Sequence, residues 1–214
     1  LLVSSLAPIS SSNESDGTDS NSSPSTYGGI GIIQTPTARM SDDGVLAFGV
    51  SSESPFNRLY SRMQFLPWME VVLRYTEGKH KPYYPGNPQT WKDKGLDLKF
   101  KLAQEGAFFP ELSLGLIDLG GTGAFSSEYL VASKRFNDID FTIGMGFGGL
   151  AGSNNFNNPV GLIFDSYNQR GGGTKLGGTI SLGNFFSGPK TSLFGGIEYK
   201  TPIDNLTLKL EYDT

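Results

Sequence analysis

The chain has 214 residues, a net charge of −4 and no cysteine. This balance and the lack of a basic block give no ground for a nucleic-acid partner, and without thiols neither a disulfide framework nor a thiolate metal site can form. No run of about 18 apolar residues occurs, so a membrane-spanning helix is excluded, whereas strands that are apolar on one side only remain open.

The first residues, Leu1-Leu2-Val3-Ser4-Ser5-Leu6-Ala7, read as the tail of an apolar signal-peptide core with small residues near a cleavage point. Pro8 disfavours a cut directly after Ala7, so the cleavage point is expected a little further on, and residues 1–9 are assigned to the remnant. A frayed cytosolic N-terminus is the alternative. Residues 10–27 are rich in Ser, Asn, Asp, Gly and Thr. They carry too little apolar surface to offset ordering and are expected to form a disordered linker. Residues 28–43, with Pro36, are expected to form an extended entry segment lying inside or beneath a barrel.

From Gly44 onward the pattern has period two, the mark of strands. Leu96-Asp97-Leu98-Lys99-Phe100-Lys101-Leu102 alternates apolar with charged residues, and Leu206 to Asp213 does the same with polar partners. Met69, Val71, Leu73 and Tyr75 alternate with Glu70, Val72, Arg74 and Thr76; Ile139 to Gly148 repeats the theme with glycines. Strands are predicted near 44–51, 58–66, 68–76, 95–104, 111–118, 127–136, 139–148, 191–200 and 205–213. Runs of about 9–10 residues suit a tilted bilayer crossing. Short links (66–68, 137–138, 202–205, and a modest turn at 105–110) alternate with long polar ones (77–94, 119–126, 151–190), the asymmetry of short periplasmic turns and long external loops. Weak alternation through Ile180 and Leu182 is placed in the last of these loops. Nine strands is an odd number, and the chain stops without a closing aromatic residue. The predicted fold is therefore all-β: the N-terminal portion, truncated, of an antiparallel transmembrane up-and-down β-barrel, with strands over 44–214.

Such a barrel places Arg58, Arg62, Glu70, Arg74, Asp97, Lys99, Lys101, Lys134, Glu198, Lys209 and Glu211 toward a wet lumen. Tyr83, Tyr84, Trp91, Tyr167 and Arg170 provide the aromatic and polar mixture suited to sugar contact in loops. An interfacial aromatic girdle competes as the explanation for Trp68, Tyr75 and Tyr129. The single histidine, His80, lies in a polar loop with no evident orienting partner for a catalytic triad. Gly144 to Gly149 fits G-x-G-x-x-G, but it lies inside a strand rather than between strand and helix, so small inward residues explain it better than nucleotide binding. Gly120-Gly121-Thr122-Gly123 lacks the Lys-Ser/Thr of a phosphate loop. Glu70, Asp97, Asp118 and Glu128 show no spacing that marks a glycosidase pair and are read as balancing interior cations. No catalytic, cofactor or metal residues are assigned, and the chain is expected not to be an enzyme.

Several segments resemble YjbH-type proteins: Gly31 to Met40, Asp93 to Lys99, Asp118 to Lys134, Phe194 to Tyr199, and Leu208 to Asp213. The resemblance runs from about Gly28 to the end, and the linker is its least family-like part. It implies an outer-membrane barrel encoded beside exopolysaccharide or capsule assembly proteins, with a role in polysaccharide export. The implied partners are polysaccharide, outer-membrane lipid, and periplasmic or lipoprotein components of the same system. Family members are longer, in keeping with truncation, and no catalytic residues carry over. The alternatives are a general porin or surface-binding barrel and, further off, a soluble β-rich carbohydrate-active enzyme.

Overall fold

The computed structural model of the protein describes residues 2–5, 22–120, 122–171 and 184–214. The strands are β1 (Leu2–Ser5), β2 (Leu46–Glu53), β3 (Phe56–Leu66), β4 (Met69–Pro82), β5 (Thr90–Ala103), β6 (Glu111–Ile117), β7 (Ser127–Phe136), β8 (Ile139–Gly148), β9 (Phe156–Asn157), β10 (Lys190–Lys200) and β11 (Thr207–Tyr212). Apart from β9, which pairs with β10, they lie side by side in chain order, each antiparallel to the next. The expected up-and-down order is present. Closure is not: among the described residues β1 and β11 form the two ends of the sheet and do not pair.

Three boundaries differ from expectation. β1 pairs with β2 through Leu2↔Ser52 to Ser5↔Gly49, adding a strand in the segment assigned to a signal remnant. The long polar link at 77–94 shrinks to 83–89, because β4 and β5 keep pairing through Glu77↔Lys92 and Gly78↔Trp91. Charged residues are no obstacle there, since the ladder needs only backbone partners. β8 pairs directly with β10, so the chain over 149–189 leaves and rejoins the sheet at one end. Ile180 and Leu182, like residues 10–21 of the linker and Gly121, lie outside the described residues.

The two faces divide by polarity in the reverse of a soluble sheet. On β4, Glu70 and Arg74 are 2% and 3% exposed, while Leu73 between them is 58% exposed. Leu59 on β3, Ile143 on β8 and Leu210 on β11 are similarly exposed, whereas Arg58, Asp140 and Ser113 are buried. Strand alternation separates the two sets with little error.

Three cross-strand pairs thin the inner layer so that aromatic rings fit flat on the sheet: Gly49↔Tyr60, Gly115↔Tyr129 and Gly144↔Phe194. In each pair a Cβ on the glycine would collide with the ring opposite. Glycine is thus required by close approach, which explains Gly144 better than the nucleotide motif it resembles, although the space is filled by a ring rather than left open. Tyr129 and Phe194 then pack edge to face at 6.2 Å, with Val131 and Ala38, as a small apolar core. Tyr129 is therefore an inner residue, a correction to the girdle reading; Trp68 and Tyr75 do face outward.

Gly144→Val should destabilise the protein by about 1–3 kcal/mol through overpacking against Phe194. The midpoint of thermal unfolding in detergent would fall; an unchanged midpoint would show that the ring is free to move.

Candidate functional site: a filled, charged interior

The concave face of the sheet is occupied by the chain itself. Residues 22–40 fold into two short bridged turns, Pro24↔Ile30 and Gly31↔Pro36, closed by Thr26 N donating to Ile33 O and Ile32 N to Thr35 O. Residues 22–27, assigned to the linker by composition, belong to this inner segment, with Ser25 and Thr26 buried. Its backbone has no strand partners, so its polar groups must be satisfied from elsewhere. The inward side chains of the sheet do this. Glu211 on β11 accepts from Ile33 N at 2.8 Å, Gln34 N at 3.0 Å and Thr35 N at 2.9 Å. Beside it, Lys209 donates to Ile32 O at 3.0 Å and pairs with Glu198 at 2.5 Å. Lys99 on β5 donates to Ile30 O and Arg39 O, and Glu70 accepts from Ile30 N. Ser113, Ser133 and Ser51 hold Ala38 and Thr26 from β6, β7 and β2. Because β2 and β11 grip the same short segment, the sheet must curl around it.

At the end carrying the short turns, Arg39 of the inner segment reaches three carboxylates. Its guanidinium meets both oxygens of Asp140 at 2.8 Å, Glu111 at 3.0 Å and Glu105 at 2.6 Å. Such a fork geometry is specific to arginine. Lys101 joins through Glu111 at 3.3 Å. Burial pushes the Glu105 carboxyl up, but hydrogen bonds from Arg135 N–H, Lys134 and Arg39 outweigh it and hold it below its ordinary range. Stability from this group is present at neutral pH and is lost as pH falls through that depressed value.

At the loop end, Phe125 sits among Tyr27, Phe56 and Trp91, with ring centroids 5.3 to 6.2 Å away. Arg58 and Arg74 stack on Tyr27 at 4.4 and 5.1 Å. Arg74 also pairs with Asp97, whose other oxygen accepts from Asp118 N. Asp118 accepts from Phe125 N at 3.0 Å and so fixes the 118–126 loop. Burial raises its carboxyl to about 6, helped by Asp93 and Asp97 and opposed by the Phe125 N–H and Arg74. Between the two ends, a cavity of about 30 Å³ remains beside Glu70, Asp97, Lys99 and Tyr129. It has room for about two or three water molecules.

Most of the residues predicted to face a wet lumen lie on the face that packs against residues 22–40. Arg58, Arg62, Glu70, Arg74, Asp97 and Lys99 are buried on the concave face, with Lys101, Glu198, Lys209 and Glu211 at its margins. Lys134 does not: it shares its side of β7 with exposed Leu130 and Phe136, and it reaches the turn-side rim to pair with Glu105 at 3.0 Å. Glu128 is likewise on the outer side of β7, capped by Phe186 N and bound by both terminal nitrogens of Arg170. Arg170 is consequently engaged in an ion pair rather than offered to a sugar, and Trp91 belongs to the Phe125 cluster. Tyr83, Tyr84 and Tyr167 remain exposed. Arg39, Glu105, Glu111 and Asp140 are not singled out by strand alternation, although Arg39 closes a segment that carries the family resemblance. Among the described residues no group of three His, Asp or Glu side chains is arranged to hold a metal.

A family model described as exopolysaccharide biosynthesis protein YbjH matches residues 23–214. An Escherichia coli K12 protein named "Uncharacterized lipoprotein YjbH" is 43% identical over 196 residues, which cover 89% of this chain and 28% of that relative. The chain thus spans little more than a quarter of the relative's length. No solved structure matches it.

Arg39→Met should cost about 3 kcal/mol, since it leaves buried carboxylates without their shared cation. Urea unfolding at pH 7 would show the loss; equal stability at pH 7 would contradict the assignment. For Asp118, folding favours the protonated form, so its contribution is full below the ordinary carboxyl range and lost as pH rises through about 6. An infrared carboxyl band absent from Asp118→Asn should titrate near 6, and a midpoint near 4 would contradict the burial argument.

Proposed function

The chain belongs to the YjbH exopolysaccharide biosynthesis family, and from that premise we propose that it forms part of an outer-membrane β-barrel serving exopolysaccharide or capsule export and assembly. One observation carries the membrane part of this reading: large apolar side chains are exposed on every strand from β2 to β4, on β7, β8, β10 and β11, while Arg58, Arg62, Glu70, Arg74, Asp97, Lys99 and Asp140 are buried on the opposite face. In water that arrangement leaves a wide apolar surface solvated at about 25 cal/mol per Å². In lipid it is the favourable one. The absence of a long apolar helix among the described residues has no bearing on a protein that crosses with strands.

The packing of residues 22–40 against the charged face of the sheet favours an occluded lumen over that of a general porin. The exposed loop residues Tyr83, Tyr84 and Tyr167 are the candidates for polysaccharide contact. A non-enzymatic role suits the buried carboxylates Glu70, Glu111, Glu128 and Asp140, each engaged by a lysine or arginine. The partners on this reading are polysaccharide, outer-membrane lipid, and periplasmic or lipoprotein components of the same export system.

Deleting the gene should lower secreted or surface polysaccharide several-fold, with recovery on re-expression; unchanged polysaccharide would contradict the export role while leaving the barrel intact. Liposomes bearing the full-length protein should not swell in small sugars, and rapid swelling would favour the porin reading.

A further inference from the structure

The inverted partition of the strands continues into the connection that comes after β8. Its core is polar. Asn158, fully buried, donates to Tyr167 O at 3.3 Å and to Phe186 O and Gly188 O at 2.9 Å, while its side-chain oxygen accepts from Val160 N at 2.9 Å. The surface is apolar. Leu162, Ile163 and Phe164 are 73, 75 and 57% exposed. They are held out by a tight turn in which Ile163 N and Phe164 N both donate to Val160 O. No charged residue occurs from Asn155 to Phe164.

The same connection is fastened to the outer side of the sheet. Glu128 and Phe147 face each other across β7 and β8 on the side that carries exposed Leu130 and Ile143. They are nonetheless buried, Glu128 beneath Arg170 and Phe186 N, and Phe147 beneath the Phe186 ring at 5.2 Å. A connection over the lumen would not touch these residues.

We infer that residues 156–171 and 184–188 form a strap on the outside of the wall and that Leu162, Ile163 and Phe164 insert into membrane hydrocarbon at the loop-side rim. Three apolar side chains pinned outward by a buried asparagine are suited to a lipid environment, as the strand residues below them are. This inference rests on the outer-membrane reading and extends it from the strands to a connection between them.

Residues 1–214 contain no cysteine, so single environment-sensitive labels can be placed in them, in full-length protein reconstituted into phosphatidylcholine vesicles, with an unsubstituted control that accounts for labelling outside these residues. Labels go on Ile163→Cys, on Ile143→Cys as the wall position and on Tyr84→Cys as the loop position. Doxyl-lipid should quench positions 163 and 143 at least twofold more than position 84, and aqueous iodide should quench position 84 alone. Iodide quenching at 163 with lipid quenching kept at 143 would overturn the strap and spare the barrel. Protection of 163 from both quenchers would overturn lipid contact in favour of a protein neighbour. Iodide quenching at both 143 and 163 would overturn the barrel reading as well.

Discussion

A sheet that turns charged side chains inward must find partners for them, and the way this protein does so governs the rest of its structure. An unpaired charge out of water is far more costly than any single apolar contact is favourable. Here the partners are the backbone groups of residues 22–40 and the opposite charges on neighbouring strands. The carboxylate of Glu211 on three successive N–H groups, and the ammonium of Lys99 on two carbonyls, are charge-assisted hydrogen bonds that a solvent-filled lumen would not need. The inner segment is thus both core and scaffold: it satisfies the strands, and the strands give an otherwise unpaired backbone its hydrogen bonds.

This arrangement alters what the inward polar residues mean. As a lining they would have marked a route for hydrated sugars. As partners of an inner segment they hold the sheet curled around it. Arg39 shows the difference most clearly, because its guanidinium joins Glu105, Glu111 and Asp140 from a turn and two strands to the inner segment. On the proposed export role, residues 22–40 stand against free diffusion through this portion.

Much of this is legible in the sequence because period two is a one-dimensional signal. Leu96 to Leu102 declares both its strand and its two faces, and β7 and β8 lie where alternation places them, Ser127–Phe136 and Ile139–Gly148. What alternation cannot report is what lies across the sheet. Lys134 has strand polarity but sits near the rim, where a long side chain on the outer face can reach Glu105, so parity and not charge decides its side. Arg39 sits in a segment with no period at all. Tyr129 has the composition of a girdle residue, and only its pairing with Gly115 reveals that it lies flat within. β1 and β9 are short and take their pairing from β2 and β10 rather than from any pattern of their own.

The most direct measurement is oxygen against nickel-chelate accessibility of spin labels placed singly at residues 59, 73, 130, 143 and 193, one on each of β3, β4, β7, β8 and β10, in the reconstituted full-length protein. A wall in lipid predicts high oxygen and low nickel accessibility at all five, with the opposite at residue 84. Nickel accessibility at those five positions equal to that at residue 84 would mean that water, not lipid, meets the apolar face.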